Sequence, residues 1–262
     1  MSKQQVRDKV STILFAMLSV CLLLLVWQLA VSGTTLGKMF PKPIPVFQKF
    51  VESLTVPIGQ YTLVQHAVFS LYRVFVGFVS GAVVGVVLGI AMGRIPVIDA
   101  IVKPIFNLIR PIPGVAWIPM AILWFGIGET TKYFIIFMGG FANVLLNTYA
   151  GARDVDKQLI GAAQMLGANR RQIFVHIVLP ASVPYIFAGL QVSLSTSWMA
   201  VLAAEMVCAQ EGVGYLITGG MNSGNTTQIL VGMLAIGLIG LILATLMRYA
   251  EKRLCSWKIR GN

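Results

Sequence analysis

Apolar residues gather along the chain into runs long enough to cross a hydrocarbon layer, with polar and charged residues collected between them. A membrane-spanning helix needs about 20 mostly apolar residues. Residues 11–31 qualify without a single charge. Residues 74–92 are equally uncharged, and that helix should begin a turn or two earlier, near Ala67. Residues 101–128 are apolar but interrupted by Lys103, Pro104, Arg110, Pro111, Pro113 and Pro119, which predicts one kinked or broken span. Residues 133–149, 183–206 and 229–247 follow, and with the second span taken as 67–92 the pattern predicts six spans. Backbone groups freed by a break survive in hydrocarbon only where protein or a watery cavity satisfies them. The third span therefore points either to a lined passage or to loose packing.

Composition narrows the class. Charged residues make up only 11% of the 262, against roughly 25% in soluble domains, and mean hydropathy is +0.82. A soluble chain of this size would need far more polar surface, which excludes a soluble globular enzyme and intrinsic disorder. The pattern predicts an all-α polytopic membrane protein built as a single transmembrane domain, residues 1–262. Cys21, Cys208 and Cys255 fall in no metal or redox spacing, and His66 and His176 build no site, so neither a catalytic nor a metal centre is expected.

The net charge of +11 suggests nucleic acid in a soluble protein. Here its distribution reads as topology. With six spans, the N-terminal side holds 15 of the 20 Lys and Arg, among them Arg94, Lys103 and Arg110, and the far side holds Lys38, Lys42, Lys49, Arg73 and Lys132. By the positive-inside rule both termini lie in the cytoplasm, and no nucleic-acid partner is implied. Lys3, Arg7 and Lys9 before the first span allow a signal peptide, but an apolar core of about 20 residues exceeds the usual 7–15 and favours a retained span.

Gly77, Gly81, Gly85, Gly89 and Gly93 recur every four residues through the second span. Such spacing lets helix backbones approach closely in lipid. The ladder serves either packing within the chain, the reading favoured here, or a dimer seam. No charge sits at the centre of an uninterrupted span, which weakens an ion-coupled mechanism. Ser193, Ser195, Thr196 and Ser197 form a polar patch in the fifth span. These hydroxyls either bond back to their own helix or line a path, for which Ser193, Ser197, Trp198 and Met199 are the candidates.

The loop at 150–182 carries the most information. Asp156 is a good N-cap and Gly167 a good C-terminal stop for a short helix, in which Leu159, Ala162, Ala163 and Leu166 form one apolar face. Asn169 can cap a second short helix running through Ile173, Phe174 and Ile177 into Pro180. The small alanines favour contact with protein over insertion into lipid.

This loop resembles the EAA signature of ABC importer permeases, Glu-Ala-Ala-x3-Gly-x9-Ile-x-Leu-Pro: Ala162, Ala163, Gly167, Ile177, Leu179 and Pro180 fall at the required spacing. Gly161 stands where the signature has Glu. The change costs about 1 kcal/mol relative to alanine in a helix interior and removes the carboxylate, so Gly161 inherits geometry alone. Ser70-Leu-Tyr-Arg-Val74, Arg110-Pro-Ile-Pro113, Trp117-Ile-Pro119, Leu123-Trp-Phe-Gly126, Asn147-Thr148 and Ala204-Glu205-Met206 are similar to the branch that carries nitrate, sulfonates such as taurine, cyanate and bicarbonate. The resemblance covers about residues 66 to 257.

It implies a type I ABC importer permease fold whose loop 150–182 carries a cytoplasmic coupling helix. It also implies a multi-pass subunit of the bacterial cytoplasmic (inner) membrane that works as a homodimer in the lipid bilayer. Its partners would be cytoplasmic ATPase subunits, which hold ATP and magnesium, and an extracytoplasmic substrate-binding protein. No cofactor is implied in this chain, and it should not itself be an ATPase. A P-loop needs G-x-x-x-x-G-K-[ST], and the nearest approach, Gly33-Thr-Thr-Leu-Gly37-Lys38-Met39, is one residue short and ends in Met. An ion-coupled transporter or channel and a membrane-embedded enzyme are the competing classes. Neither G-x-S-x-G nor H-E-x-x-H occurs to support the enzyme. The substrate is not legible, because selectivity in this branch resides largely in the receptor.

Overall fold

The computed structural model describes residues 3–33, 37 and 40–254; Lys38, Cys255, Lys258 and Arg260, and most of the stretch between Gly33 and Met39, lie outside the described residues. In chain order the helices are α1 (Lys3–Val31), α2 (Pro43–Glu52), α3 (Leu63–Arg94), α4 (Pro96–Ile109), α5 (Ile118–Phe125), α6 (Glu129–Arg153), α7 (Lys157–Met165), α8 (Arg170–Ile173), α9 (Leu179–Cys208), α10 (Val213–Asn222) and α11 (Thr226–Leu254). A 3-10 turn, Gly114–Trp117, precedes α5, and a π turn, Phe174–Val178, joins α8 to α9. Five stretches are long and apolar enough to cross a membrane, and α4 with the Gly114–Phe125 segment forms a sixth candidate bent by 86°.

The chain forms two compact units. One comprises residues 1–63 and 216–234. In it Leu14, Phe15, Leu18, Leu22 and Leu23 of α1 are all more than 60% exposed, as befits a helix bathed in lipid. The Leu63 N–H donates to the Ser53 carbonyl at 2.9 Å and closes the α2–α3 turn. Gly220 of α10 lies so close to α11 that an added Cβ would meet Ile229 at 2.8 Å.

The second unit comprises residues 64–215 and 235–262. Its centre is α6. All five ladder glycines of α3 face that helix: Gly77 meets Ile136, Gly81 lies between Phe137 and Phe141, Gly85 meets Val144, Gly89 Thr148 and Gly93 Ala152. A Cβ at Gly77 would stand 2.6 Å from Ile136, and one at Gly93 2.7 Å from Ala152. The contacts climb both helices in the same direction, four residues at a time, so α3 and α6 run parallel. Two consecutive parallel spans need a crossing between them. The bent pair must therefore traverse the membrane, which brings the number of spans to six. α9 packs antiparallel on the other side of α6, with Gly139 under Ala200, Gly189 against Asn147 and Gly151 against Tyr185. Val74, Ile136, Leu194, Trp198 and Val201 close the core where α3, α6 and α9 meet, and Ile236 and Ile239 of α11 pack on it.

One feature departs from the sequence reading. The helix after Asn169 does not stop at Pro180: residues Arg170–Cys208 run on through 39 residues. The π turn supplies the reason. The Leu179 N–H bonds back to the Phe174 carbonyl, so the ladder is already changing register where the proline lacks a donor. The third span is broken, as its prolines predict, with a bend of 86°. Pro111 and Pro113 cannot donate, Pro113 is extended (φ −58°, ψ 142°), and Gly114 rests on the backbone of Gly139, where a Cβ would come within 2.8 Å of the Gly139 Cα. Tyr149 fixes the near half of the break. Its hydroxyl donates to Asp99 of α4 (3.2 Å) and accepts from Lys103 (3.3 Å) and Arg153 (2.7 Å).

Candidate functional site

Three places in the second unit bear on function. The first is the loop between α6 and α9. The Asp156 carboxylate accepts from the Gln158 N–H at 2.8 Å and starts α7, while Asn169 and Gln172 form a reciprocal capping box at the start of α8. Gly167 turns the chain between them at φ +83°. Val155, Ile173 and Val178 form a small core, on which Ile160, Ala163, Phe174 and Ile177 pack. The predicted apolar face of α7 is thereby divided: Ala163 turns inward with Ile160, whereas Leu159, Ala162 and Leu166 point out. Leu166 and the adjacent Met165 are 89% and 86% exposed. Gly161 has open space around its Cα, so the missing carboxylate leaves no gap in this chain. Leu179 is half-buried and Pro180 exposed. The result is a capped, braced helix on which Leu159, Ala162 and Met165 lie uncovered beside exposed Lys157, Gln158 and Gln164.

The second place is an ion cluster that the sequence reading missed. Arg73, counted there only among the charges of the far side, lies inside α3 and is almost wholly buried. Its guanidinium uses all five donors: two to the Glu129 carboxylate (both 2.8 Å), one each to Glu205 (2.9 Å) and Glu211 (2.7 Å) carboxylates, and one to the Glu211 carbonyl (2.9 Å). Glu205, wholly buried in α9, also accepts from the Ser70 hydroxyl (2.8 Å) and the Gly214 N–H (2.9 Å). Ser70 accepts in turn from the Val213 N–H (2.9 Å), and His66 Nδ1 accepts from the Gly212 N–H (3.0 Å). Lys132 donates to Glu129 at 2.6 Å. The cluster ties the starts of α3 and α6 to the end of α9 and the Glu211–Gly214 turn. Charge inside an apolar helix demands partners, and Ser70-x-x-Arg73 with Glu205 was the available signal.

The third place is a cavity of about 360 Å³ between the break, α6 and α9, lined by Arg110, Pro113, Gly139, Asn143, Thr196 and Met199 among others. Its α6 wall, residues 138–143, lies about 14–21 Å along a helix of 25 residues, at the middle of the span. Arg110, counted in the sequence among the charges of the N-terminal side and placed near the break of the third span, lines this cavity level with the middle of α6. The 86° bend that the prolines impose carries Arg110 to the cavity wall. The predicted path residues separate. Met199 is 69% exposed and lines the cavity, and Thr196 joins it. Ser193 and Ser197 are fully buried beneath Gly140 of α6, and Trp198 packs into the α3–α6–α9 core. Ser197 donates to the Ile136 carbonyl of α6 (3.3 Å), and only Ser195 and Thr196 bond their own helix.

An exposed short helix at one end of a bundle, an ion cluster at the other and a cavity at mid-depth define a multi-pass helical membrane protein. Comparison with known proteins agrees. Residues 81–255 match the family described as binding-protein-dependent transport system inner membrane component, and the chain belongs to that family. The taurine transport system permease protein of Escherichia coli K12 is 34% identical over 242 residues, covering 91% of this chain and 88% of its own. A nitrate import permease protein of Synechocystis is 33% identical over 238 residues, covering 89% and 86%. Among solved structures, an inward-facing MetNI methionine ABC transporter superposes with a TM-score of 0.63 at 21% identity, over 73% of this chain and 95% of that one. An amino acid ABC transporter follows at 0.61 and 15%, over 72% and 92%. The fold is that of type I ABC importer permeases, and the chain is an inner-membrane, multi-pass component of an ABC transporter.

Proposed function

We propose that this permease forms the pathway of an ATP-driven importer for a small anion, such as taurine or another sulfonate, nitrate or bicarbonate. An extracytoplasmic binding protein delivers the solute, two copies of the chain enclose the path, and partner ATPase subunits hold ATP and magnesium. Both termini and α7 face the cytoplasm, in keeping with the surplus of Lys and Arg on that side. The observation that carries this reading is the outward face of α7, where Leu159, Ala162, Met165 and Leu166 lie uncovered on a helix capped at Asp156 and braced by the Ile173–Val178 core. An apolar patch on so short and rigid an element suits a groove in a soluble partner. Because α7 follows α6 within a few residues, displacing it shifts packed helices by shear or rotation.

The test is reconstitution with the ATPase and binding protein in vesicles. Taurine, nitrate and bicarbonate uptake should follow ATP hydrolysis, and Ala162→Glu should leave insertion and folding intact while abolishing uptake. Normal uptake by that variant would refute the coupling role of α7.

A further inference from the structure

We propose that Arg110 is an anion-binding residue of the passage, holding a small oxyanion (sulfonate, nitrate or bicarbonate) in the mid-membrane cavity as it passes. The inference rests on the import reading above and adds the residue that recognises charge. Two arginines of the same unit frame the case. Arg73 spends every donor on carboxylates and carbonyls of its own chain. The guanidinium of Arg110 makes no hydrogen bond or ion pair with any described residue, although it stands at the middle depth of α6. A cation at that depth is costly unless it is paired or faces a water-filled cavity, and such residues mark ion and solute pathways. Here the cavity is present, and the missing partner is an anion.

The surroundings fit such a ligand. Asn143 donates to Thr196 Oγ1 at 3.1 Å, which holds an amide and a hydroxyl together on the wall opposite the break. The volume of about 360 Å³ takes a small oxyanion with several waters. A planar guanidinium presents paired N–H groups to two oxygens of a carboxylate-like or sulfonate group. No carboxylate lines the cavity to compete. The site is open on one side and offers a single cation, so it holds the anion without trapping it, as a pathway requires.

The experiment uses the whole transporter in vesicles with taurine, nitrate and bicarbonate as probes. Arg110→Lys should retain most uptake, and Arg110→Gln should lose about tenfold or more, the scale of a charge-assisted hydrogen bond. Gel filtration should show both variants assembled, because nothing in the fold leans on this side chain. Arg110→Cys should behave like the glutamine variant. Its uptake should return on reaction with a trimethylammonium thiosulfonate reagent and stay low with the sulfonate-bearing analogue, with the treated unmodified chain as control. Uptake of any probe unchanged by Arg110→Gln, or equal effects of the two reagents, would overturn the assignment while leaving the import function standing. A wild-type transporter that imports none of the three anions would overturn the import reading for this substrate class, and this inference with it.

Discussion

Arg73 and Glu205 are each other's partners in a place with little water, and the cost of separating them follows from that. Removing one member of a buried, hydrogen-bonded pair strands the other, at about 3–5 kcal/mol. Arg73→Met should therefore lower the unfolding midpoint of the detergent-solubilised permease more than Arg73→Met combined with Glu205→Leu. A double variant less stable than the single would mean that the two residues do not act as a pair. Gly212 belongs to the same unit of stability. Its φ of +113° disfavours any side chain, and a Cβ there would strike the Glu205 carboxylate. The sequence carried a signal for this cluster that apolar-run counting passed over. His66, Ser70 and Arg73 stand at i, i+4 and i+7, and the glycine ladder continues the same stripe from Gly77. Read as one face, polar residues on an otherwise apolar helix point toward protein. Read one by one, Arg73 counts only as one more charge of the far side.

At the scale of elements, the α3–α6 contact depends on the absence of side chains. A Cβ at Gly85 already meets Val144 at 2.9 Å. Gly85→Leu should push the helices apart and abolish a monodisperse complex in detergent, whereas Gly237→Leu, at a glycine with open space around it, should not. Assembly of both variants alike would remove α6 as the partner of the ladder. The caps at Asp156 and Asn169 and the stop at Gly167 were legible because capping is local chemistry within four residues. The division of the α7 face was not: which of two neighbouring alanines turns inward depends on Ile173 and Val178, brought there by the fold. Likewise the prolines announced a break in the third span, but neither its angle nor the destination of Arg110 is a local property. Pro180 misled for the converse reason, since a π turn absorbed it.

For the whole molecule, the parallel run of α3 and α6 decides the count of crossings. Ile95, between α3 and α4, and Ile127, between α5 and α6, are both exposed and should lie on opposite faces of the membrane. Single cysteines at 95 and 127 should react with impermeant reagents from opposite sides of sealed vesicles. Labelling from one side would make the bent pair re-entrant and return the count to five. The sequence supplied the number of apolar runs and the charge bias, but it could not say whether a span broken at two prolines crosses or turns back. That was settled by contacts between helices far apart in the chain.

The shared direction of α3 and α6 also bears on how such a chain can change over evolutionary time. Each residue inserted or deleted inside either helix rotates everything beyond it by about 100°. One such event between Gly77 and Gly93, or between Ile136 and Ala152, would turn every later glycine off its partner at once. Length variation among relatives should therefore collect in the connections and termini, and these two stretches should pass between lineages without gaps.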